Sequence, residues 1–143
     1  MPVGISKVGV FVDKGLNFIN EKIKTFTLSH AQLHGFESPQ LCEKIKRQDI
    51  KVIKAFNIHP GFDFKILDEY EPYCDFFLFD AFGEKAGGNG VVFNWDLLNK
   101  YDGSTPFLLS GGIDETMVNK LKKITHPQFI GVDINSKFET VSA

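Results

Sequence analysis

Cysteine is scarce in this chain: Cys42 and Cys74 are the only two, far apart and in no CxxC arrangement. That argues against a metal site and for a reduced intracellular protein. A field of one charge sign is also missing. Sixteen Lys and Arg oppose eighteen Asp and Glu, for a net charge of -2, so no basic surface is available to attract nucleic acid. An anionic ligand therefore has to be held locally, by backbone amides or helix ends. Long apolar runs are absent, none approaching the roughly 18 residues of a membrane span, and the opening MPVGISK has no signal-peptide core. No membrane partner is expected, and a cytoplasmic location is. Linkers, low-complexity tracts and charge blocks are missing too, which suggests one domain over residues 1–143.

What is present is a core of rings. Hydrophobic residues make up 43% of the chain and include fifteen Phe. Strand-like and helix-like patterns alternate from end to end. Strands are expected at Val8–Val12, His30–His34, Lys51–Phe56, Asp75–Ala81, Thr105–Ser110 and Phe129–Ile134. Between them, Leu16–Phe26 carries Leu16, Ile19, Ile23 and Phe26 at helical spacing. Ser38-Pro39 reads as an N-cap and first helical position. Phe62–Tyr73 and Asn94–Tyr101 read as further helices, and Asp114 can cap one running to about Ile124. Six βα units fit either an open doubly wound sheet or part of an eight-stranded (βα)8 barrel. The first strand is followed by DKG rather than GxGxxG, while glycines cluster after strands four, five and six. Late glycine loops fit the barrel, which builds phosphate sites near its last strands.

The candidate chemistry gathers at the strand ends. FFLFDAFGEKAGGNG, Phe76–Gly90, is an apolar run that ends in Asp80 and opens into a loop with four glycines. A carboxylate at the carboxyl end of a buried parallel strand lies where α/β proteins assemble their sites, although an Asp can also simply turn the chain there. Alternation puts His30, Gln32 and His34 on one face of the second strand. Alternate residues sit about 6.6 Å apart and no carboxylate joins them, so a polar pocket lining, with Gln32 and His34 nearest the carboxyl end, is favoured over a metal site. Lys54 could reach an anion or snorkel out at an edge. LLSGGID, Leu108–Asp114, brings Gly111 and Gly112 to a helix start, and GVDINS ends the sixth strand with Asn135 and Ser136. Two such loops after consecutive strands suggest a phosphate site made of amides and hydroxyls. Trp95, Cys42 and Cys74 read as packing residues.

Read in order, VGVFVD, AQLHG, VIKAF, FLFDAFGEKAGGNG, FNWDLL, LLSGGI and GVDINSKFE resemble the phosphoribosylanthranilate isomerase family of tryptophan biosynthesis, from about residue 7 to 139. The resemblance implies a cofactor-free (βα)8 barrel of which strands three to eight are present. It implies an Amadori rearrangement of a small phosphoribosyl substrate, converting N-(5-phosphoribosyl)anthranilate into 1-(2-carboxyphenylamino)-1-deoxyribulose 5-phosphate. In that reading Asp80 matches the general acid that protonates the ring oxygen. An apolar wall of Phe76, Leu78 and Phe82 would favour the protonated carboxyl that this role needs. Gly111, Gly112 and Ser136 match the family's phosphate loops, with Asn135 at a position usually held by a small hydroxyl residue. Lys137 stands where glycine is usual.

The family's general base, a cysteine in a first-strand K-x-C-G motif, has no counterpart here, nor has its anthranilate-binding arginine. The chain thus reads as a family member lacking both ends, and is expected to be inactive by itself. Two alternatives remain: another phosphosugar barrel enzyme such as indole-glycerol-phosphate synthase, or a non-catalytic phosphate-binding α/β domain. The QLHG strand and single Asp80 weigh against the first.

Overall fold

The computed structural model describes residues 4–80 and 95–134. Six strands form one sheet whose spatial order is the order of the sequence, and every neighbouring pair is parallel. They are β1 (Val8–Phe11), β2 (His30–Leu33), β3 (Lys51–Asn57), β4 (Phe76–Asp80), β5 (Phe107–Ser110) and β6 (Phe129–Val132). Two helices, α1 (Leu16–Phe26) and α2 (Pro39–Lys46), make the first two crossovers. Pro39 begins α2 as expected, but the Ser38 side chain makes no capping bond. Within α1 the expected stripe is buried at Ile19 and Ile23, while Phe26 is exposed. Among the described residues no helix is long and apolar enough to cross a membrane.

Later crossovers are tighter than their periodicity suggests. Phe62–Tyr73 is not an α-helix but two 3-10 segments, Phe64–Glu69 and Glu71–Tyr73, the first capped by Asp63 accepting from the Lys65 amide. Pro72 has no N–H and disfavours helical backbone before it, so an α-helical ladder cannot run through. Trp95–Lys100 is also a 3-10 turn, with Trp95 packed against the core; Ala81 and Asn94 lie outside the described residues. After β5 a 3-10 turn at Glu115–Met117 leads into α3 (Val118–Leu121), only four residues long.

Strand alternation divides the side chains between two faces. Phe11, Ala31, Leu33, Val52, Phe56, Phe77, Phe79, Phe107 and Leu109 join the large core beneath the helices, with Ile19, Ile45, Leu67 and Tyr101. Rings dominate this layer: Phe79 stacks on Phe107 at 4.6 Å, and Tyr101 meets Phe79 edge-on at 5.3 Å. Glu71 holds the turn below, accepting from the Tyr101 hydroxyl and the Ser104 and Thr105 amides. Burial first, and the bond to Glu71 second, push the Tyr101 hydroxyl well above its ordinary value. The opposite face carries a smaller cluster, Ile53, Ala55 and Leu78 with Phe76 and Leu108 against it. This second face ends in polar residues.

Candidate active site

The carboxyl ends of the parallel strands lie together, so their last side chains on the inner face share one neighbourhood. Register makes Asp80 the partner of Ser110 on β5 and of Asn57 on β3. Gln32 and His34, on and just beyond β2, belong to the same face by alternation. Gln32 Nε2 lies 3.1 Å from His34 Nδ1, and His34 Nε2 lies 3.3 Å from Asp80 Oδ2. Two elements separated by β3 are thereby joined side chain to side chain. His30 does not belong to this group: it sits at the opposite end of β2, stacked on Phe76 and hydrogen-bonded to Ser29.

The first predicted phosphate loop follows β5 directly. Gly111 and Gly112 both adopt left-handed backbone, with φ of 98° and 63°, which side-chain-bearing residues rarely tolerate. The helix beyond contributes less than the sequence suggests. With only a 3-10 turn and one turn of α-helix after Asp114, there is little macrodipole to act on an anion. Asp114 instead caps its own turn by accepting from the Thr116 amide. Asn135 and Ser136, the second predicted loop, lie outside the described residues, as do Phe82 and Lys137.

One site residue escaped sequence reasoning. Asp133 follows β6 and accepts a hydrogen bond from the Ser110 hydroxyl at 3.2 Å. It thus brings a second carboxylate to the end that holds Asp80. The signal was the one that marked Asp80, an apolar run ending in Asp.

Lys54 does not snorkel out at an edge; it reaches an anionic group, but one of the protein's own, the Glu37 carboxylate. Its strand neighbours Val52 and Phe56 are core residues, and Lys54 points with them beneath the helices, 2% exposed. There its ammonium donates to the carbonyls of Leu33, Gly35 and Ala55 and lies 3.3 Å from Glu37 Oε2. Glu37 in turn accepts from the Asp13 and Gly35 amides, and Asp13 Oδ1 accepts from the Phe36 amide. The buried pair knits the ends of β1, β2 and β3 together behind the site. The glycine of QLHG is required by Asp13, because a Cβ on Gly35 would run into the Asp13 backbone and carboxylate.

Neither cysteine is placed to act here. Cys42 and Cys74 are buried in the core under the helices. The hydrogen bond with Cys42, and then burial, push the Cys74 thiol far above its ordinary value.

Comparison with known proteins bears on this arrangement. The sequence profile of N-(5'-phosphoribosyl)anthranilate isomerase matches residues 2–141. A relative of that name from Phocaeicola vulgatus is 43% identical over 143 residues, covering 100% of this chain and 70% of the relative. Another from Parabacteroides distasonis is 45% identical over 133 residues, 93% of this chain and 60% of the relative. The chain therefore spans between 60% and 70% of these two relatives. Among solved structures, a phosphoribosyl anthranilate isomerase in complex with reduced 1-(o-carboxyphenylamino)-1-deoxyribulose 5-phosphate superposes with a TM-score of 0.79 at 29% identity. That match covers 99% of this chain and 65% of the other. The Thermotoga maritima enzyme gives a TM-score of 0.77 at 31% identity, over 92% and 63% of the two chains.

Proposed function

The chain belongs to the phosphoribosylanthranilate isomerase family, and on that premise we propose that its site performs the proton transfers of the Amadori rearrangement on N-(5-phosphoribosyl)anthranilate. The observation that carries this reading is Asp80, at the carboxyl end of β4, beside the glycine turn after β5. As general acid it gives its proton to the ring oxygen of the sugar. The C1–oxygen bond breaks with its electron pair going to that oxygen, and the anthranilate nitrogen supplies the pair that makes a C1–nitrogen double bond. A base then takes the proton from C2, leaving an enolamine that tautomerises to the ketose, so substrate and product are isomers and no electron acceptor is needed. Gln32 and His34 line the pocket beside Asp80.

The substrate's phosphate is held by amides of the turn at Gly111 and Gly112, joined by Asn135 and Ser136. Left-handed glycines let main-chain N–H groups converge on an anion without a side chain intervening. The net charge of -2 supports local capture over diffuse attraction.

In this reading β1 to β6 correspond to the third to eighth strands of one eight-stranded barrel domain. The cysteine base and the anthranilate-binding arginine belong to the two units before them. These 143 residues then carry the acid and the phosphate loops but not the base, and do not turn over alone. The test follows the loss of phosphoribosylanthranilate fluorescence, first with the chain as it stands and then with a K-x-C-G-bearing segment and a C-terminal stretch added. Background turnover in the first case and activity in the second are expected, with Asp80→Asn losing about 10²–10⁴-fold in kcat at little change in affinity. Turnover by the unaided chain, or an active Asp80→Asn variant, would overturn the assignment.

A further inference from the structure

We infer that His34 is a positioning residue for Asp80, held for that task in one tautomer by Gln32; the inference rests on the isomerase reading above. A primary-amide nitrogen can only donate, so Gln32 Nε2 at 3.1 Å makes His34 Nδ1 an acceptor. The ring proton then sits on Nε2 and is donated to Asp80 Oδ2, 3.3 Å away. The opposite tautomer would turn an Nδ1–H on an amide nitrogen that offers only hydrogens.

The backbone makes this reach possible. His34 continues the β1 ladder through its own amide, which donates to the Phe11 carbonyl, so the ring starts from a fixed point. It must cross β3 to meet β4, a span of roughly 9–10 Å between strand axes. Leu33 pairs with Lys54, which puts the small Ala55 level with His34 on the inner face. An alanine there leaves room for the imidazole to pass.

Two consequences follow for the acid. Among the described residues the hydrogen bond to this carboxylate ends on Oδ2, so the transferable proton is directed to Oδ1. When that proton leaves for the ring oxygen, the charge left on Asp80 is met by an N–H already aimed at it, which stabilises the product side of the step. His34 touches neither reacting atom; it acts through Asp80.

The chain labelled with [15N]histidine tests this directly, because long-range 1H–15N spectra distinguish the two ring tautomers. Expected are an Nε2–H tautomer in the wild type, a mixture in Gln32→Leu, and a displaced Nε2 resonance in Asp80→Asn. An Nδ1–H tautomer, or an Nε2 resonance indifferent to Asp80→Asn, would overturn the positioning role and leave the isomerase reading standing. In enzyme that turns over phosphoribosylanthranilate, His34→Leu should lower kcat by up to about a hundredfold with KM nearly constant, as misplacement of a catalytic group does. His34→Gln, which keeps a donor at similar reach, should recover most of it. Equal losses in both variants, or a rise in KM alone, would overturn the inference. Loss of turnover in every form, with the tautomer as expected, would count against the isomerase reading instead.

Discussion

Glu37 and Lys54 lie 3.3 Å apart beneath the helices, almost fully enclosed, and between them they bind the backbone on both sides of His34. Removing one partner of a buried pair leaves the other charge uncompensated, which typically costs about 3–5 kcal/mol, whereas removing both together costs far less. Lys54→Met should therefore lower stability by about that amount and Lys54→Met with Glu37→Gln by clearly less. Urea unfolding followed by Trp95 fluorescence measures both. A double variant as unstable as the single one would show that the pair's backbone bonds, not its charges, are what matter.

Acid should weaken the fold partly through Glu71. Burial pushes its carboxyl up, but the Thr105 amide, the Tyr101 hydroxyl and Ser104 outweigh burial and hold it below the ordinary value of 4.5. A carboxyl lowered by folding adds stability that is fully present above its unfolded value and is lost as pH falls through the folded one. Glu71→Gln should cost about 1–2 kcal/mol at pH 7 and flatten the loss of stability below about pH 4.5. Urea midpoints of the two proteins across that range decide it; parallel curves would count against the assignment.

Gly111 should tolerate no branched side chain. Its φ of 98° puts a β-branched residue in strained backbone, costing about 1–3 kcal/mol or a rearranged turn. On the proposed phosphate reading, Gly111→Val is expected to weaken inorganic phosphate binding at least about tenfold, as followed by amide chemical-shift changes. Phosphate perturbing only surface lysines in the wild type would remove the site from this turn.

The strands were legible because each is an apolar run stopped by turn residues, and the structure moves their ends by one or two residues at most. The crossovers were less so. Apolar spacing in Phe62–Tyr73 suits a helix, and the interruption at Pro72 carries more weight than the spacing does. Parity put Gln32 and His34 on one face of their strand, and an apolar run ending in a carboxylate marked Asp80; that the three meet follows from the register of β2, β3 and β4, which the sequence does not display. Lys54 could not be placed the same way. Parity puts it beside Val52 and Phe56, where an ammonium is tolerable only with a carboxylate, and nothing in the order of residues announces that Glu37 folds back to meet it. Asp133 needed only the rule already applied to Asp80.

Because the sheet follows sequence order without a single crossing, each strand's template is the strand made just before it. A chain leaving the ribosome can extend such a sheet from its free edge, with no need to wait for a distant partner. Its growing tip is then a parallel strand with one side unpaired, a surface that invites whichever βα unit arrives next. The interior pairs, β3 with β4 among them, need nothing beyond their immediate neighbours to set their register.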